Sequence, residues 1–272
     1  MSALLGGNDV TEPARGSGLA TVFRHAGVAA AYRHRPPYPV RVFDALEGLM
    51  VDSPRHVLDI GAGEGALARP LSARVDRVDA VEISQQMADA GRGRPGGGRR
   101  NLRWIVGPAE TAPLSGPYAL VTAGASLHWM DWAVTLGRIA GQLTPHGMLA
   151  IVDQSYHDLE WRDELVEVIV RHSRSPDFNP EFSLPDELER LGLFEIHGRR
   201  ETHPVAFQQT AHDYTEQFHS TASLAREVMP PDEAERFDEE ITDVVRHYAR
   251  DGVLRMEITA TVVWGCPVTP AG

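Results

Sequence analysis

The 272-residue sequence lacks a long apolar run, since no window approaches the roughly 18 apolar residues that a membrane-spanning helix needs. The N-terminus also lacks a basic segment followed by an apolar one, which is the pattern of a secretory signal. The chain has one cysteine, Cys266, and therefore cannot form an internal disulfide. Together these absences predict a protein of the reduced cytoplasm.

Positive charge is scarce, and lysine is missing. All 26 basic residues are arginines, and 38 acidic residues outnumber them, which gives a formal net charge of −12. Such a chain repels a phosphate backbone unless a local basic patch overrides the repulsion, so a nucleic-acid substrate is disfavoured. The content of 42% hydrophobic and 24% charged residues is that of an ordinary globular protein.

From residue 55 onward, short β-type runs alternate with helix-compatible stretches. The runs are Val57–Ile60, Arg77–Glu82, Leu102–Val106, Tyr118–Thr122 and Met148–Asp153. This alternation predicts a doubly wound α/β fold, in which helices cover both faces of a parallel sheet.

The segments around this core have a different character. Residues 1–20 show no apolar periodicity and are predicted to form a mobile arm, while 21–272 are predicted to form a single domain. Within 21–50, two helix-like stretches surround the proline-rich break 33–39 and form a predicted N-terminal cap. In the second half of the chain, helices are expected at 158–174, 185–191, 210–228 and 232–250, with strands at Phe194–Phe207 and Leu254–Trp264. The block 205–250 is expected to be a helical lid inserted before the last strand.

The first β-type run ends in a turn with three glycines, "DIGAGEG" over 59–65. Glycines at the end of a strand let the backbone approach a ligand, and the following helix points its free amides at that ligand. Gly61, Gly63 and Ala66 satisfy the fingerprint of dinucleotide enzymes, so the turn alone also fits a nicotinamide or flavin cofactor. Asp59 disfavours a pyrophosphate there, because two like charges in a partly buried site cost on the order of a few kcal/mol. A ligand with cationic groups, such as S-adenosylmethionine, avoids this repulsion.

A second acid, Glu82, ends the second run in "DRVDAVEIS" (76–84). A carboxylate at this place accepts hydrogen bonds from both hydroxyls of a ribose. Dinucleotide enzymes and S-adenosylmethionine enzymes both use such an acid. Glu82 therefore indicates a nucleoside without identifying it.

Further motifs follow in order along the chain, namely "GPAETAPL" (107–114), "LVTAGASLHWMD" (120–131) and "LTPHGMLAIVD" (143–153). With "VLDIGAGEG" and "VEIS", this order resembles the class I S-adenosylmethionine-dependent methyltransferases, especially their small-molecule branch. The resemblance is close over residues 28–153 and covers the remainder only in outline. It implies a Rossmann-like fold with a seven-stranded, mostly parallel sheet whose last strand is antiparallel. It also implies methyl transfer from S-adenosylmethionine to an oxygen or nitrogen of a small molecule, such as a secondary metabolite.

The same resemblance implies a set of cofactor-binding residues. They are Tyr32, Arg35, Asp59, Gly61, Ala62, Gly63, Glu82, Ile83, Met87, Ala109, Glu110 and Ala125. Arg35 is expected to pair with the cofactor carboxylate, and Met87 to pack near the adenine. Asp59 is expected either to touch the ligand or to hold the loop by accepting backbone amides. Pro108 departs from the family, where aspartate is common, so the side-chain bond to the adenine amine is expected either to be missing or to be replaced by one from Glu110.

His128 and Trp129 follow the fourth predicted strand, at the carboxyl edge of the sheet where α/β proteins bind ligands. An imidazole can take the proton that a hydroxyl or ammonium acceptor loses, which makes His128 the candidate general base. Alternatively, both residues cap the next helix or line the cofactor pocket, since methyl transfer can proceed by alignment alone. Tyr38, Trp129 and His219 are the candidate substrate-binding residues.

The inserted stretch "TAHDYTEQFHSTASLARE" (210–227) contains further polar side chains. His212, His219 and Ser223 are spaced so that one helix face could present all three to an acceptor. The histidines lack the spacing and cysteine partners of a zinc site, so no metal is expected.

Three alternative functions are compatible with these patterns. They are a nicotinamide-dependent oxidoreductase, the same fold and cofactor used for cyclisation or decarboxylation, and a non-catalytic binding module. Methylation of protein or tRNA is disfavoured, because no Asn-Pro-Pro-Tyr motif or basic face is evident. The acceptor and the oligomeric state do not follow from the sequence.

Overall fold

The computed structural model describes residues 26–173 and 182–268, so the arm predicted at 1–20 lies outside the described residues. The strands of its sheet are β1 (His56–Ile60), β2 (Arg77–Glu82), β3 (Leu102–Val106), β4 (Tyr118–Gly124), β5 (Leu143–His157), β6 (Phe194–Glu201), β7 (Val205–Thr210) and β8 (Val253–Pro267). The strand order is β3-β2-β1-β4-β5-β8-β6, with β7 also paired to β8. The expected doubly wound α/β fold is confirmed.

The sheet has seven strand positions, as predicted. Neighbours from β3 to β5 pair in parallel, whereas β8 is antiparallel to β5 and β6. Strand β8 is long enough to pair with β7 over its first half and with β6 over its second half. Strands β6 and β7 therefore fill one edge position in succession.

The single strand expected over Phe194–Phe207 is wrong, because the chain leaves the ladder at 202–204. There the Thr202 hydroxyl accepts a hydrogen bond from the Ala260 amide at 3.0 Å, in place of a backbone carbonyl. Pro204 has no amide proton to donate to a neighbouring strand. The edge is thus split into β6 and β7.

Helices cover both faces of the sheet. They are α1 (Ala26–Tyr32), α2 (Val40–Gly48), α3 (Ala68–Leu71), α4 (Gln85–Gly93), α5 (Trp132–Ala140), α6 (Arg162–His172), α7 (Leu184–Arg190), α8 (Ala211–Glu216) and α9 (Pro231–Val245), with 3-10 turns at Leu127–Trp129 and Gln217–Ser220. Alternate residues of β1 pack on opposite faces, with Val57 in the cluster that contains Leu46 of α2, and Leu58 in the cluster that contains Leu136 of α5. None of the described helices is long and apolar enough to cross a membrane.

The inserted block shares an apolar cluster with β5, α6 and β8, but it is less helical than expected. Its first residues, 205–210, form β7, and the helix expected over 210–228 ends after α8 and one 3-10 turn. At that point the hydroxyls of Ser220 and Thr221 donate to the carbonyls of Gln217 and Phe218, which competes with continued helix. His212 is consequently exposed, while His219 and Ser223 are buried. The expected shared helix face is therefore wrong.

Candidate active site

A cavity lies at the carboxyl ends of β1, β4 and β5, beneath the segment that joins α1 to α2. It is lined by Tyr32, Arg35, Pro36, Tyr38, Asp59, Gly61, Ala62, Ala66, Leu67, Gly124, Ala125 and Gln154. We call residues 33–39 the strap. The structure therefore brings the strap and the glycine turn together at the edge of the sheet where α/β proteins bind ligands.

The glycine turn is held against β2 by two backbone donors. The Ala62 amide donates to the Val81 carbonyl at 2.9 Å, and the Gly63 amide donates to Glu82 Oε2 at 2.7 Å. Gly61 has a φ of 62°, and a Cβ added there would overlap the Cβ of Ser126. The turn thus needs glycine at 61 both for its backbone conformation and for its close packing.

Glu82 has a fixed carboxylate at the end of β2. Its Oε2 accepts from Gly63, and its Oε1 accepts from the Ser84 amide at 2.8 Å. Burial raises the pKa of Glu82, and bonds from the amides of Ser84, Gly63 and Ile83 lower it. Each carboxylate oxygen has a second lone pair, so the group can still accept from a ligand. Met87, which is 1% exposed, packs beside Gly63.

Asp59 joins three elements inside the fold. Its Oδ1 accepts from the Thr122 hydroxyl at 2.7 Å, and its Oδ2 accepts from the Ala68 amide at 3.1 Å. These bonds connect β1 to β4 and to the start of α3. Of the two roles expected for Asp59, holding the backbone is the one its bonds show, and its place in the cavity lining keeps ligand contact a prediction. Burial raises the pKa of Asp59 to about 7, against the bonds from Thr122 and Ala68 that lower it.

The raised pKa of Asp59 has a consequence for stability that Asp59→Asn measures. A folded-state pKa of about 7, above the ordinary 3.8, gives stability that is present at low pH and lost as the pH rises through 7. Asparagine does not titrate, so the free energy of unfolding of Asp59→Asn should not fall for this reason. Between about pH 5 and pH 8, wild type should therefore lose a few kcal/mol relative to the variant, at about 1.4 kcal/mol per pKa unit. Urea unfolding at both pH values measures this difference.

Asp52→Asn is the matched control for Asp59. The neighbouring Thr144 hydroxyl and the bonds from His146 lower the pKa of Asp52 to about 2. This carboxylate is therefore ionised in both the folded and the unfolded state above about pH 5. Its substitution should not change the slope of the free energy of unfolding against pH. If the free energy of unfolding changes equally with pH in Asp59→Asn and in wild type, the raised pKa of Asp59 is contradicted.

The strap is fastened on both sides of the cavity. Arg35 Nε donates to Ser220 Oγ at 2.6 Å, and the guanidinium lies 4.6 Å from the ring centroid of Tyr32. Gln154 Nε2 donates to the Pro37 carbonyl at 2.7 Å. Among the described residues, no carboxylate lies within ion-pair distance of Arg35. The strap thus places a half-buried cation in the cavity wall without a protein counterion.

Two further polar groups face this cavity. The Tyr38 hydroxyl lies beside Gly124, and burial raises the pKa of Tyr38 well above its ordinary value. The bond to Pro37 fixes the amide of Gln154 so that its oxygen is the group left to accept. Gln154 is not among the residues predicted from the sequence, because the predicted β-type run ends at Asp153 while β5 continues to His157. A polar residue that interrupts an apolar strand near its carboxyl end was the available signal.

His128 is a buried and neutral imidazole next to the cavity residues. It is 3% exposed, and its Nε2 has no hydrogen-bond partner in the part of the chain that the structure describes. Burial, reinforced by the positive charge of Arg35, lowers the pKa of His128 to about 3. Its ring centroid lies 4.5 Å from that of Trp129. Trp129 packs against Ala222 and Ala225 of the inserted block, and neither His128 nor Trp129 is in the cavity lining.

The structure corrects the role expected for His219. Its Nδ1 lies 2.7 Å from the Leu224 carbonyl oxygen, and its Nε2 lies 2.7 Å from Asp238 Oδ1. Both ring nitrogens are therefore used within the inserted block, which contradicts substrate binding by His219.

The turn expected beside the adenine is tied to α5. Glu110 Oε1 accepts from the Asp131 amide at 3.0 Å, and the Ala109 carbonyl accepts from Arg138. Neither Ala109 nor Glu110 is in the cavity lining, so their contact with adenine stays a prediction. Over residues 26–173 and 182–268, no group of three or more His, Cys, Asp or Glu side chains is arranged to hold a metal ion.

Residues 57–147 match the model of the methyltransferase domain family Methyltransf_25. An uncharacterised methyltransferase of Mycobacterium tuberculosis is 33% identical over 148 residues, which are 54% of this chain and 58% of that relative. The chain thus spans less than two thirds of the length of the curated relative it matches. The nicotinamide-dependent alternative has no support from either match.

Solved structures share the fold. A structure assigned as a type II methyltransferase of Anaeromyxobacter dehalogenans has a TM-score of 0.59 at 18% identity, and the alignment covers 85% of this chain and 97% of that one. An S-adenosylmethionine-dependent methyltransferase of Geobacter sulfurreducens, solved with S-adenosylhomocysteine, has a TM-score of 0.50 at 14% identity, covering 92% and 98%. Residues 57–147, whose motifs lie at one edge of the sheet, therefore match a methyltransferase domain, and the chain around them shares the fold of solved methyltransferases.

Proposed function

We propose that the protein transfers a methyl group from S-adenosylmethionine to an oxygen or nitrogen of a small-molecule acceptor. The observation that carries this proposal is the cavity itself, in which the strap covers the glycine turn of a methyltransferase domain. When bound, the cofactor supplies a methyl group that is already activated on a sulfonium. The work left to the protein is then binding, alignment and the exclusion of water.

The polar groups of the cavity fit the cofactor's amino-acid end. The guanidinium of Arg35, which has no carboxylate partner among the described residues, suits a carboxylate, and the fixed oxygen of Gln154 suits an ammonium. At the other end of the glycine turn, Glu82 has acceptor capacity for ribose hydroxyls. Because Gly61 lacks a Cβ, backbone can approach a ligand between these two ends. These features support an orientation of S-adenosylmethionine in which its amino-acid end lies under the strap and its ribose lies at β2.

The acceptor is best sought among small molecules. The strap and the inserted block are bonded to each other through Arg35 and Ser220, which leaves a covered site rather than an open groove. A net charge of −12 opposes binding of a nucleic acid. Tyr38 has a hydroxyl in the cavity and is our candidate for orienting the acceptor, while a role for Trp129 would require access beyond this cavity.

A screen for acceptors tests the proposal. The protein is incubated with S-adenosylmethionine and a panel of small molecules that carry hydroxyl, carboxyl or amino groups, and S-adenosylhomocysteine and product masses are measured. We expect acceptor-dependent S-adenosylhomocysteine and a product heavier by one CH₂. A turned-over substrate without that added mass would instead support cyclisation or decarboxylation. Cofactor binding without release of S-adenosylhomocysteine from any acceptor would support a binding module.

His128 is proposed as the group that takes the acceptor's proton. Because burial holds its pKa at about 3, the ring is neutral throughout the physiological range. It would take a proton only in the bound complex, where a charge that develops beside it offsets the burial. With the acceptor found in the screen, we expect His128→Gln to lower kcat by about 10²-fold or more, with the KM for the cofactor changed by less than about threefold. Steady-state kinetics with each substrate varied in turn measure the effect on kcat separately from the effect on the KM for the cofactor.

The pH dependence of kcat provides a second measurement on His128. Wild-type kcat should not fall between about pH 8 and pH 5 through protonation of this ring, because a pKa of about 3 lies below that range. His146→Gln is the matched control, as His146 is an exposed imidazole paired with Asp52 outside the cavity. If His128→Gln and His146→Gln have the same kcat, His128 is not the base.

A further inference from the structure

His219 is bonded in a way that fixes its protonation state. A backbone carbonyl has no proton to give, so the Nδ1 of His219 must donate to Leu224 at 2.7 Å. The Nε2 faces Asp238 Oδ1 at 2.7 Å. The proton shared by His219 Nε2 and Asp238 Oδ1 is bonded either to the ring or to the carboxyl group.

The surroundings of Asp238 place that proton on the ring. Its other oxygen, Oδ2, accepts from Arg226 at 2.7 Å, and the bonds from His219 and Arg226 lower the pKa of Asp238 against the effect of burial. An ionised Asp238 is acceptor only, so His219 donates from both nitrogens and carries a positive charge. This buried imidazole is 2% exposed.

The charged groups around the ring balance each other. Arg226 also forms a bidentate pair with Glu216, at 2.8 and 2.7 Å. The cluster therefore holds His219 and Arg226 as cations, and Asp238 and Glu216 as anions. Helix α1 packs against the turn Gln217–Ser220, but its sequence "AGVAAAY" contributes no acid or base apart from a tyrosine. A neutral ring would leave this cluster with one negative charge in excess, beside a ring that is itself 2% exposed.

The residue after His219 reaches the cavity. Ser220 is fully buried, donates its hydroxyl proton to the Gln217 carbonyl and accepts from Arg35 Nε at 2.6 Å. The Ser220 carbonyl accepts a second bond from Arg35 Nη2 at 3.3 Å. The position of the 3-10 turn thus sets the position of the guanidinium in the cavity wall.

We infer that His219 is a positioning residue, held as an imidazolium between Leu224 and Asp238, which places Ser220 and through it Arg35 for binding of a carboxylate-bearing ligand. Its two bonds tie the 3-10 turn Gln217–Ser220 to Leu224 and to α9, and removal of the ring releases the turn that holds Arg35. Ligand affinity at the strap therefore depends on a residue that does not line the cavity. The assignment of the ligand's carboxylate to Arg35 rests on the proposed function.

The charge of His219 is measured directly by nitrogen NMR on the full chain labelled with ¹⁵N-histidine. The signals of His219 are those missing from His219→Gln. At about pH 7 we expect both ring nitrogens to show the shifts of a doubly protonated ring. A spectrum with one protonated and one bare nitrogen would overturn the inference. If His219→Gln does not fold, Asp238→Asn identifies the signals by their displacement.

The link to the cavity is measured by calorimetric titration with S-adenosylhomocysteine. We expect His219→Gln and Ser220→Ala each to weaken binding by about tenfold, and the double variant to be no weaker than the poorer single one, because both cut the same connection.

His172→Gln is the control for a general effect on α9. His172 is a second buried imidazole whose Nε2 lies 3.1 Å from Glu240 of α9, but it belongs to α6 and not to the turn next to the strap. We expect the affinity of His172→Gln for S-adenosylhomocysteine to stay within about twofold of wild type. Additive effects of the two single variants would overturn the inference. Failure of wild type to bind at any pH would instead overturn the proposed function, and the NMR result would stand apart from it.

Discussion

Replacement of Glu82 by glutamine is expected to weaken S-adenosylhomocysteine binding by at least about 100-fold. In the wild type, Gly63 and Ser84 each donate an amide proton to one oxygen of Glu82. Glutamine carries an NH₂ group in place of one oxygen, so a donor would face a donor and a buried amide would lose its partner. The same substitution removes a charged acceptor from the proposed ribose position. Calorimetric titration measures the affinity.

Asp89→Asn is the control for the Glu82 prediction. Asp89 is an exposed acid on α4, the helix that follows β2, and it bonds Gln85 and Arg92 rather than the glycine turn. Its substitution by the corresponding amide should leave the affinity within about twofold of wild type. Equal affinity of Glu82→Gln and wild type would contradict the ribose position at β2.

The second large effect is expected at Gly61. An alanine Cβ there would overlap the Cβ of Ser126 and lie 2.9 Å from its hydroxyl oxygen. Ser126 cannot easily move, because that hydroxyl donates to the Ile60 carbonyl at 2.7 Å. Overpacking and a φ of 62° together should cost about 3 kcal/mol in the free energy of unfolding. Displacement of the turn should also abolish cofactor binding.

Gly192→Ala separates the packing effect from backbone strain. Gly192 has a similar φ of 70°, but a Cβ there would meet no atom within 4 Å. This variant should lose only about 1 kcal/mol in the free energy of unfolding and should bind the cofactor normally. Urea unfolding and calorimetric titration of both variants measure the contrast. Equal losses at the two glycines would show that the contact with Ser126 has no effect.

The sequence was most informative where function depends on local chemistry. The strand at 77–82 was predicted with its observed bounds, because its apolar run lies between two turn-forming stretches. The need for glycine at 61 could be predicted in the same way, since a strand that meets a helix through a tight turn requires a residue that tolerates positive φ. Glu82, at the end of that strand, lies where the motif predicts it.

The cavity wall could not be predicted, because distant parts of the chain form it. Arg35 and Ser220 are 185 positions apart, and Gln154 and Pro37 are 117 apart. No local periodicity contains such pairings. The assignment of His219 failed for a related reason, since helical spacing placed it on a surface while the chain left the helix after Glu216. The low pKa of His128 likewise depends on burial and on a cation that only the fold brings near.

In our proposal, the cavity under the strap binds the amino-acid end of S-adenosylmethionine while Glu82 holds its ribose. A crystal structure with S-adenosylhomocysteine tests this most directly. We predict that both ribose hydroxyls lie within hydrogen-bond distance of Glu82 and that the carboxylate of the ligand pairs with Arg35. A ligand bound elsewhere, or a dinucleotide occupying the cavity that S-adenosylhomocysteine leaves empty, would contradict the account.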